Sequence, residues 1–154
     1  MATYNPKQEP TKAKRRTDKR KGSFRSILER KVSEKMEEVG LKTKYEPYFI
    51  PYIIPTERHK YKPDWVLIDN EDFVFEAKGI LDPADRKKLL LLKEQYPNKT
   101  FYLLFGNARE KLQKNKKRFP ITYGDWADHH GFKWCDFYRE GIPEEWLNEI
   151  YKCD

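Results

Sequence analysis

Cysteine, histidine and long apolar runs are all scarce in this chain of 154 residues. Its two cysteines, Cys135 and Cys153, lie far apart among charged residues, so we expect free thiols rather than a disulfide framework. Neither cysteine joins the three histidines in a zinc-like spacing. No apolar stretch approaches the roughly 20 residues that a helix needs to cross a bilayer, and the start shows no signal-peptide pattern. We therefore expect no membrane partner.

Positive charge is concentrated at the start of the chain. Residues 1–22 contain eight Lys and Arg against two acids, which is six of the seven net positive charges. They have almost no apolar content, which predicts a flexible basic arm that is disordered when free. Such an arm is typical of proteins that bind polyanions by counterion release, although a solubilising or targeting tail has a similar composition. Residues 23–154 are long enough for one domain with a real core.

The apolar pattern of residues 23–154 predicts an α/β domain with a mixed sheet. We predict helices over 23–39, from 82 to before 97, over 122–130 and from 143. We predict strands over 43–50, 100–105 and 132–137 and a hairpin of two strands over 61–78. The stretch 106–120 has only a weak apolar pattern, and we predict a short helix and a loop there. The stretch 51–55 begins and ends with proline and cannot lie in a central strand, because each proline removes a ladder donor. We interpret it as an extended connector whose apolar side chains need a cover.

Two carboxylates and a lysine are predicted to converge at one end of a hairpin. Asp64 begins one apolar run, Glu76 and Lys78 close the next, and the turn-like residues 69–72 join the two runs. The start of one strand then lies beside the end of the other, and Glu76 and Lys78 share a face because they are two residues apart. Asp64 and Glu76 could hold a hard divalent cation and its water beside a phosphate. Lys78 could orient that water or accept its proton.

The motif is short, and chance matches are common in so charged a chain. The alternative makes Asp64 a turn residue and the segment 76–78 a solvated strand end. Glu29, one helix upstream, could supply a further carboxylate. Six basic residues flank the motif as candidate phosphate contacts, namely Arg25, Lys60, Lys62, Arg86, Lys87 and Lys88. A solvated charged face explains any one of these equally well.

Ordered blocks along most of the chain carry a resemblance. They include FRSILE at 24–29, PYIIP at 51–55, YKPD at 61–64, EAKG at 76–79, DRKK at 85–88, EQYP at 94–97 and IPEEW at 142–146. With these blocks the chain resembles the phage endonuclease I family of T-odd podophages, four-way-junction resolvases within the PD-(D/E)xK nuclease superfamily. The basic arm is longer than we expect for the family, and its Lys-rich C-terminal tail has no counterpart here.

The resemblance implies a restriction-endonuclease-like core with Glu29, Asp64, Glu76 and Lys78 in the active site and with Asp64 and Glu76 as metal ligands. It implies nicking of branched DNA that depends on Mg²⁺, or on Mn²⁺ in its place, and leaves 5′-phosphate ends. We expect no nucleotide cofactor. The implied setting is the cytoplasm of a phage-infected bacterium.

The resemblance also implies a strand-exchanged homodimer. The stretch 51–55 would cross between subunits, so that Glu29 of one chain acts with the other three active-site residues of its partner. Two alternatives stay open at this point. One is a PD-(D/E)xK nuclease with another target, such as linear duplex, a flap or a mismatch. The other is a non-catalytic protein that binds branched DNA, which the complete set of active-site residues disfavours.

The basic arm gives a first prediction. Deleting residues 2–21 should weaken binding to a four-way DNA junction at moderate salt, because most of the net positive charge is lost. Electrophoretic mobility-shift titrations of the full chain and the deletion variant would measure this. Equal affinity of the two proteins would refute the role of the arm in DNA binding.

Overall fold

The computed structural model describes residues 24–54, 56–115 and 117–152; the predicted arm and Cys153 lie outside these ranges. The elements are α1 (Ile27–Glu38), β1 (Thr43–Tyr45), β2 (Ile50–Ile54), β3 (Glu57–Tyr61), β4 (Trp65–Leu67), β5 (Phe73–Lys78), α2 (Pro83–Gln95), β6 (Thr100–Phe105), α3 (Tyr123–His129), β7 (Lys133–Asp136), α4 (Phe137–Glu140) and α5 (Glu144–Tyr151). Among the described residues, no helix is both long enough and apolar enough to cross a membrane.

The main sheet has five strands in the order β1-β4-β5-β6-β7. The pairs β1–β4 and β4–β5 are antiparallel, whereas β5–β6 and β6–β7 are parallel. The helices α2 and α3 make the crossovers that parallel neighbours require. The prediction of an α/β domain with a mixed sheet is therefore confirmed. The carboxyl ends of β5, β6 and β7 meet at one edge, where Lys78 is in register with Phe105 and Phe105 with Asp136.

Hydrophobic clusters cover both faces of the sheet. Along β5, Val74 belongs to one cluster and Phe75 to the other, as the two-residue period of a strand requires. Val74 is packed with Leu89 and Leu92 of α2, and Phe75 belongs to the cluster that contains α1 and α5. The apolar residues of α1 recur at helical spacing, and Val32 in the middle of that stripe is fully buried.

The proline-bounded stretch at 51–55 lies mostly in a strand. Its first four residues belong to β2, which pairs antiparallel with β3 in a separate two-stranded sheet. Pro51 is tolerated because, within the described part of the chain, β2 pairs with β3 alone and is an edge strand. The amide of Gln95 on α2 bonds both backbone groups of Ile53, at 2.9 Å to its nitrogen and 2.7 Å to its oxygen. The extended conformation was predicted, but its pairing was not.

Several element ends differ from the predictions. The first helix is capped by Ser26, whose Oγ accepts from the Glu29 nitrogen at 3.1 Å; the predicted cap Ser23 lies outside the described residues. The strand predicted over 43–50 is wrong over 46–49, because Glu46 has a φ of 43° and a proline follows it. The short strand β3 was not predicted, since it has a single buried residue, Tyr61.

Two further differences lie after β6. The short helix predicted within 106–120 is wrong for the described residues of that stretch, which hold an isolated bridge from Lys111 to Thr122 instead. The predicted strand 132–137 is confirmed over β7 but ends one residue earlier, because Phe137 begins the single turn α4. A four-residue helix is too short to produce a periodic apolar pattern in the sequence.

A close approach between α3 and β7 gives a stability prediction. A Cβ added at Gly124 would lie 2.8 Å from the ring of Trp134, and that ring is held by a 2.7 Å bond from its Nε1 to Asp128. Gly124→Ala should therefore lower the free energy of unfolding by about 1–3 kcal/mol, as overpacking does. Urea denaturation would measure this.

Gly79→Ala is the control for that experiment, since a Cβ there would meet no atom within 4 Å. We expect its midpoint to stay within experimental error of the wild type. A Gly124→Ala protein as stable as Gly79→Ala would contradict the prediction, since the overpacking cost would then be no larger than the roughly 0.5–1 kcal/mol by which Ala is favoured over Gly in a helix.

Candidate active site

The β4–β5 hairpin brings Asp64 and Glu76 together. Trp65 pairs with Phe75 in the antiparallel hairpin, so Asp64, which precedes Trp65, lies beside Glu76, which follows Phe75. The Ala77 nitrogen donates to Asp64 Oδ2 at 2.9 Å, and the Asp64 nitrogen lies 3.4 Å from Glu76 Oε2. The predicted convergence of the two carboxylates is confirmed.

Lys78 is buried between two carboxylates. Its Nζ lies 2.9 Å from Glu76 Oε1 and 3.2 Å from Asp85 Oδ1. The side chains of Lys78 and Glu76 are only 6% and 5% exposed, so the alternative of a solvated strand end is wrong. An unpaired ion at this depth would cost several kcal/mol. The close pairing of opposite charges is therefore what allows these groups to be buried.

Tyr61 at the end of β3 fixes Glu76 from the other side. Its hydroxyl donates to Glu76 Oε2. Burial first, and then the negative charges of Glu76 and Asp64, raise the pKa of Tyr61 well above its usual value, so the hydroxyl keeps its proton as a donor. Sequence reasoning missed this residue. The one available signal was its position three residues before Asp64.

Asp64 carries the strongest sign of crowded negative charge. Burial and then the charge of Glu76 raise its pKa well above the usual value, Glu29 adds to this, and Lys78 opposes it. A divalent cation between Asp64 and Glu76 would relieve this crowding, and carboxylate oxygens are the ligands that Mg²⁺ prefers. The two residues therefore fit the predicted metal. No set of three His, Cys, Asp or Glu in the described ranges is arranged to hold an ion, so water and phosphate oxygens would complete its coordination.

Glu29 has a structural role as well as a place near the site. It is the third residue of α1, where its Oε2 accepts from the nitrogens of Arg25 and Ser26 at 2.7 and 2.8 Å. These bonds complete a capping box. The Tyr45 hydroxyl also donates to Glu29, at 3.0 Å. Glu29 is buried and close enough for its charge to raise the pKa of Asp64.

The ammonium of Lys78 is held in its charged form in this arrangement. Burial alone would lower its pKa, but the charges of Glu76, Asp85 and Asp64 outweigh burial and raise it. Asp85 shows the reverse balance: burial would raise its pKa, while Lys78 and Lys88 lower it. Asp85 was missed by sequence reasoning, because nothing in its spacing separates it from a surface acid of α2.

The six candidate phosphate contacts have different surroundings. The Arg25 guanidinium contacts the Glu46 carboxylate, and Lys62 lies 3.1 Å from the same group. Lys88 pairs with Asp85 at 3.0 Å. Of the remaining three, Lys60 and Lys87 are exposed and Arg86 is half-buried. Their contact with phosphates stays a prediction.

Comparisons with known proteins show the family of this chain. Residues 10–153 match the family described as Phage endonuclease I. The chain is 43% identical to Endonuclease I of Escherichia phage T7 over 131 residues, which cover 85% of this chain and 83% of that protein. It is 45% identical to Endodeoxyribonuclease 1 of Enterobacteria phage T3 over 114 residues, 74% of this chain and 72% of the relative. The resemblance seen in the sequence blocks is confirmed, and the chain belongs to the phage endonuclease I family.

Proposed function

We propose that this protein is a structure-selective endodeoxyribonuclease that resolves four-way (Holliday) junctions and other branched DNA by paired nicks. Its cofactor is Mg²⁺, with Mn²⁺ able to substitute, and it acts in the cytoplasm of a phage-infected bacterium without a nucleotide cofactor. The observation that carries the proposal is the cluster of half-buried Asp64 with buried Glu76 and Lys78 in a chain of this family. Branched substrates vary in sequence, so recognition should depend on backbone shape and charge.

The cluster suits hydrolysis of a phosphodiester. Asp64 and Glu76 would hold a Mg²⁺ ion, which would supply a bound water of lowered pKa and neutralise charge on the phosphate. In the hydrolysis a water oxygen forms a bond to phosphorus and gives up a proton, the bond from phosphorus to the 3′-oxygen breaks, and the 3′-oxygen takes a proton. The products are a 5′-phosphate and a 3′-hydroxyl. The Lys78 ammonium, as a donor, orients the water or stabilises the charge that develops on the phosphate oxygens.

The proposal includes a PD-(D/E)xK core and a strand-exchanged homodimer in which 51–55 crosses between subunits. Tyr52 of this segment is buried within its own chain, but Ile53 is 52% exposed, and Phe49, two residues before the segment, is 58% exposed. These two exposed apolar side chains support a partner there. A second copy of the chain would cover such side chains. Each active site would then combine Glu29 of one chain with Asp64, Glu76 and Lys78 of the other.

The first test is cleavage of an end-labelled four-way junction beside a matched linear duplex, with Mg²⁺ and with EDTA. We expect paired cuts near the branch that EDTA abolishes. Glu76→Gln should lower the nicking rate by about 100-fold or more, the scale on which enzymes lose activity when one group that stabilises the transition state is removed. Exposed Glu94→Gln, which removes the same charge from the end of α2, should cut at the wild-type rate.

Each other outcome of this experiment points to one of the alternatives. Tight junction binding without any cuts would identify a non-catalytic binding protein. Equal cutting of the linear duplex would identify a nuclease with a broader target, and cutting that survives EDTA would contradict the metal-dependent mechanism.

Strand exchange predicts complementation between two inactive variants. Glu29→Gln and Asp64→Asn proteins should each be inactive alone. When they are unfolded and refolded together, an exchanged heterodimer has one site that combines both substitutions and one fully wild-type site. We therefore expect nicking to return in the mixture, with about half of the wild-type rate for each heterodimer.

Without exchange, every chain in the mixture carries one defect in its own site, and no nicking would return. Refolding each variant alone is the control. A mixture that stays as inactive as the separate variants would refute strand exchange while leaving the nuclease assignment intact.

A further inference from the structure

We propose that Asp85 is a positioning residue for Lys78. When a divalent cation takes the place of the Lys78 ammonium on Glu76, Asp85 holds that ammonium. The inference rests on the proposed function only in assuming a divalent cation at Asp64 and Glu76. It concerns a residue that lies outside the predicted active-site set.

Both oxygens of the Glu76 carboxylate already have hydrogen-bond or ion-pair donors. Oε2 accepts from the Tyr61 hydroxyl and faces the Asp64 nitrogen at 3.4 Å, while Oε1 lies 2.9 Å from Lys78 Nζ. A cation bound by Glu76 must therefore share or take an oxygen that already has a donor. Oε1 is the oxygen whose donor can move, since Lys78 has a flexible stem and its three donors can serve several partners.

An ammonium and a divalent cation repel each other strongly when they meet at one buried oxygen. Lys78 cannot simply lose its partner, because its side chain is only 6% exposed and an unpaired ion at that depth is costly. A second anion must receive it within the same site.

Asp85 is placed to be that anion. Its Oδ1 lies 3.2 Å from Lys78 Nζ, so the lysine already touches both carboxylates. The backbone of Asp85 is fixed, because its nitrogen donates to the capping Asp82 Oδ1 at 2.7 Å. The same Oδ1 accepts from Lys88 Nζ at 3.0 Å, and that Nζ also lies 5.7 Å from the centre of the Tyr61 ring. Lys78 can thus shift from Glu76 towards Asp85 without leaving the site.

The test measures Mn²⁺ binding to the full chain by calorimetry, with no DNA present. Asp85→Asn keeps the size of the side chain and one oxygen but removes the charge, so Lys78 should compete harder for Glu76. We expect the Mn²⁺ dissociation constant to rise about fivefold or more, as coupling between groups in contact allows. The control Glu94→Gln removes one exposed acid from the same helix and should change the constant by less than about twofold.

A double-mutant cycle separates positioning from direct attraction of the metal. In a Lys78→Met background the competing ammonium is gone, so adding Asp85→Asn should change the Mn²⁺ constant by less than about twofold. An unchanged constant in the Asp85→Asn single variant would overturn the proposal. An equal rise of the Mn²⁺ dissociation constant in both backgrounds would also overturn it, because Asp85 would then be a metal ligand or a source of general attraction.

Nicking provides a second readout that a purely structural role would not move. Asp85→Asn should bind a junction in EDTA within about twofold of the wild type, and raised Mg²⁺ should restore most of its single-turnover rate. Glu76→Gln should not be rescued in this way. A slow Asp85→Asn enzyme at every Mg²⁺ concentration would count against the proposal. Because the calorimetry uses no DNA, failure of junction cleavage alone would refute the proposed function and leave the metal-competition test standing.

Discussion

The β4–β5 register is the constraint on which the site depends. With Trp65 opposite Phe75, Asp64 and Glu76 must lie side by side, Asp64 half-buried and Glu76 buried. Neighbouring carboxylates repel each other, and burial of either charge is unfavourable. Lys78 lies on the same face two residues beyond Glu76, so the same strand supplies the positive charge that compensates the two carboxylates. The Tyr61 hydroxyl then fixes Glu76, and the Asp85 carboxylate forms a second ion pair with Lys78.

The surrounding sheet makes such an unfavourable cluster tolerable. Trp65, Val74 and Phe75 are fully buried on the two faces of the hairpin. Each contributes roughly 1.5–3 kcal/mol through the hydrophobic effect, which together offsets a penalty of several kcal/mol for the charged cluster. The parallel pairing of β5 with β6 extends to Lys78 itself, and the Gly106 nitrogen then donates to the Lys78 oxygen at 3.0 Å. The backbone beneath the site is therefore held by β6 on one side and by the bond from the Ala77 nitrogen to Asp64 on the other, which is what a precisely spaced metal site needs.

Local sequence signals predicted the parts of the molecule that local physics decides. The hairpin, the capped start of α2 and the buried strand β6 each have a strong pattern of their own, and the motif residues follow from strand periodicity. The strand β3 has no such pattern, because its pairing with β2 and the contact of β2 with Gln95 are tertiary. Tyr61 and Asp85 could not be identified for a similar reason. A tyrosine and a helix acid become part of the site only through distances set by the folded chain, and Asp85 looks like an ordinary first-turn acid.

The contacts of α1, which carries Glu29, bear on the proposed exchange of segments between two subunits. Glu29 completes the cap of its own helix, and that helix packs on the sheet through Val32 and Met36. If the helix comes from a partner, as proposed, these contacts of α1 are reproduced between subunits, and the chain must change course between β1 and the crossing stretch 51–55. The link before that stretch begins at Glu46, whose positive φ costs about 1–3 kcal/mol for a residue that is not glycine. An extended path at Glu46 would release this strain, so a chain whose α1 stays on its own sheet carries a local cost just before the stretch that is proposed to cross.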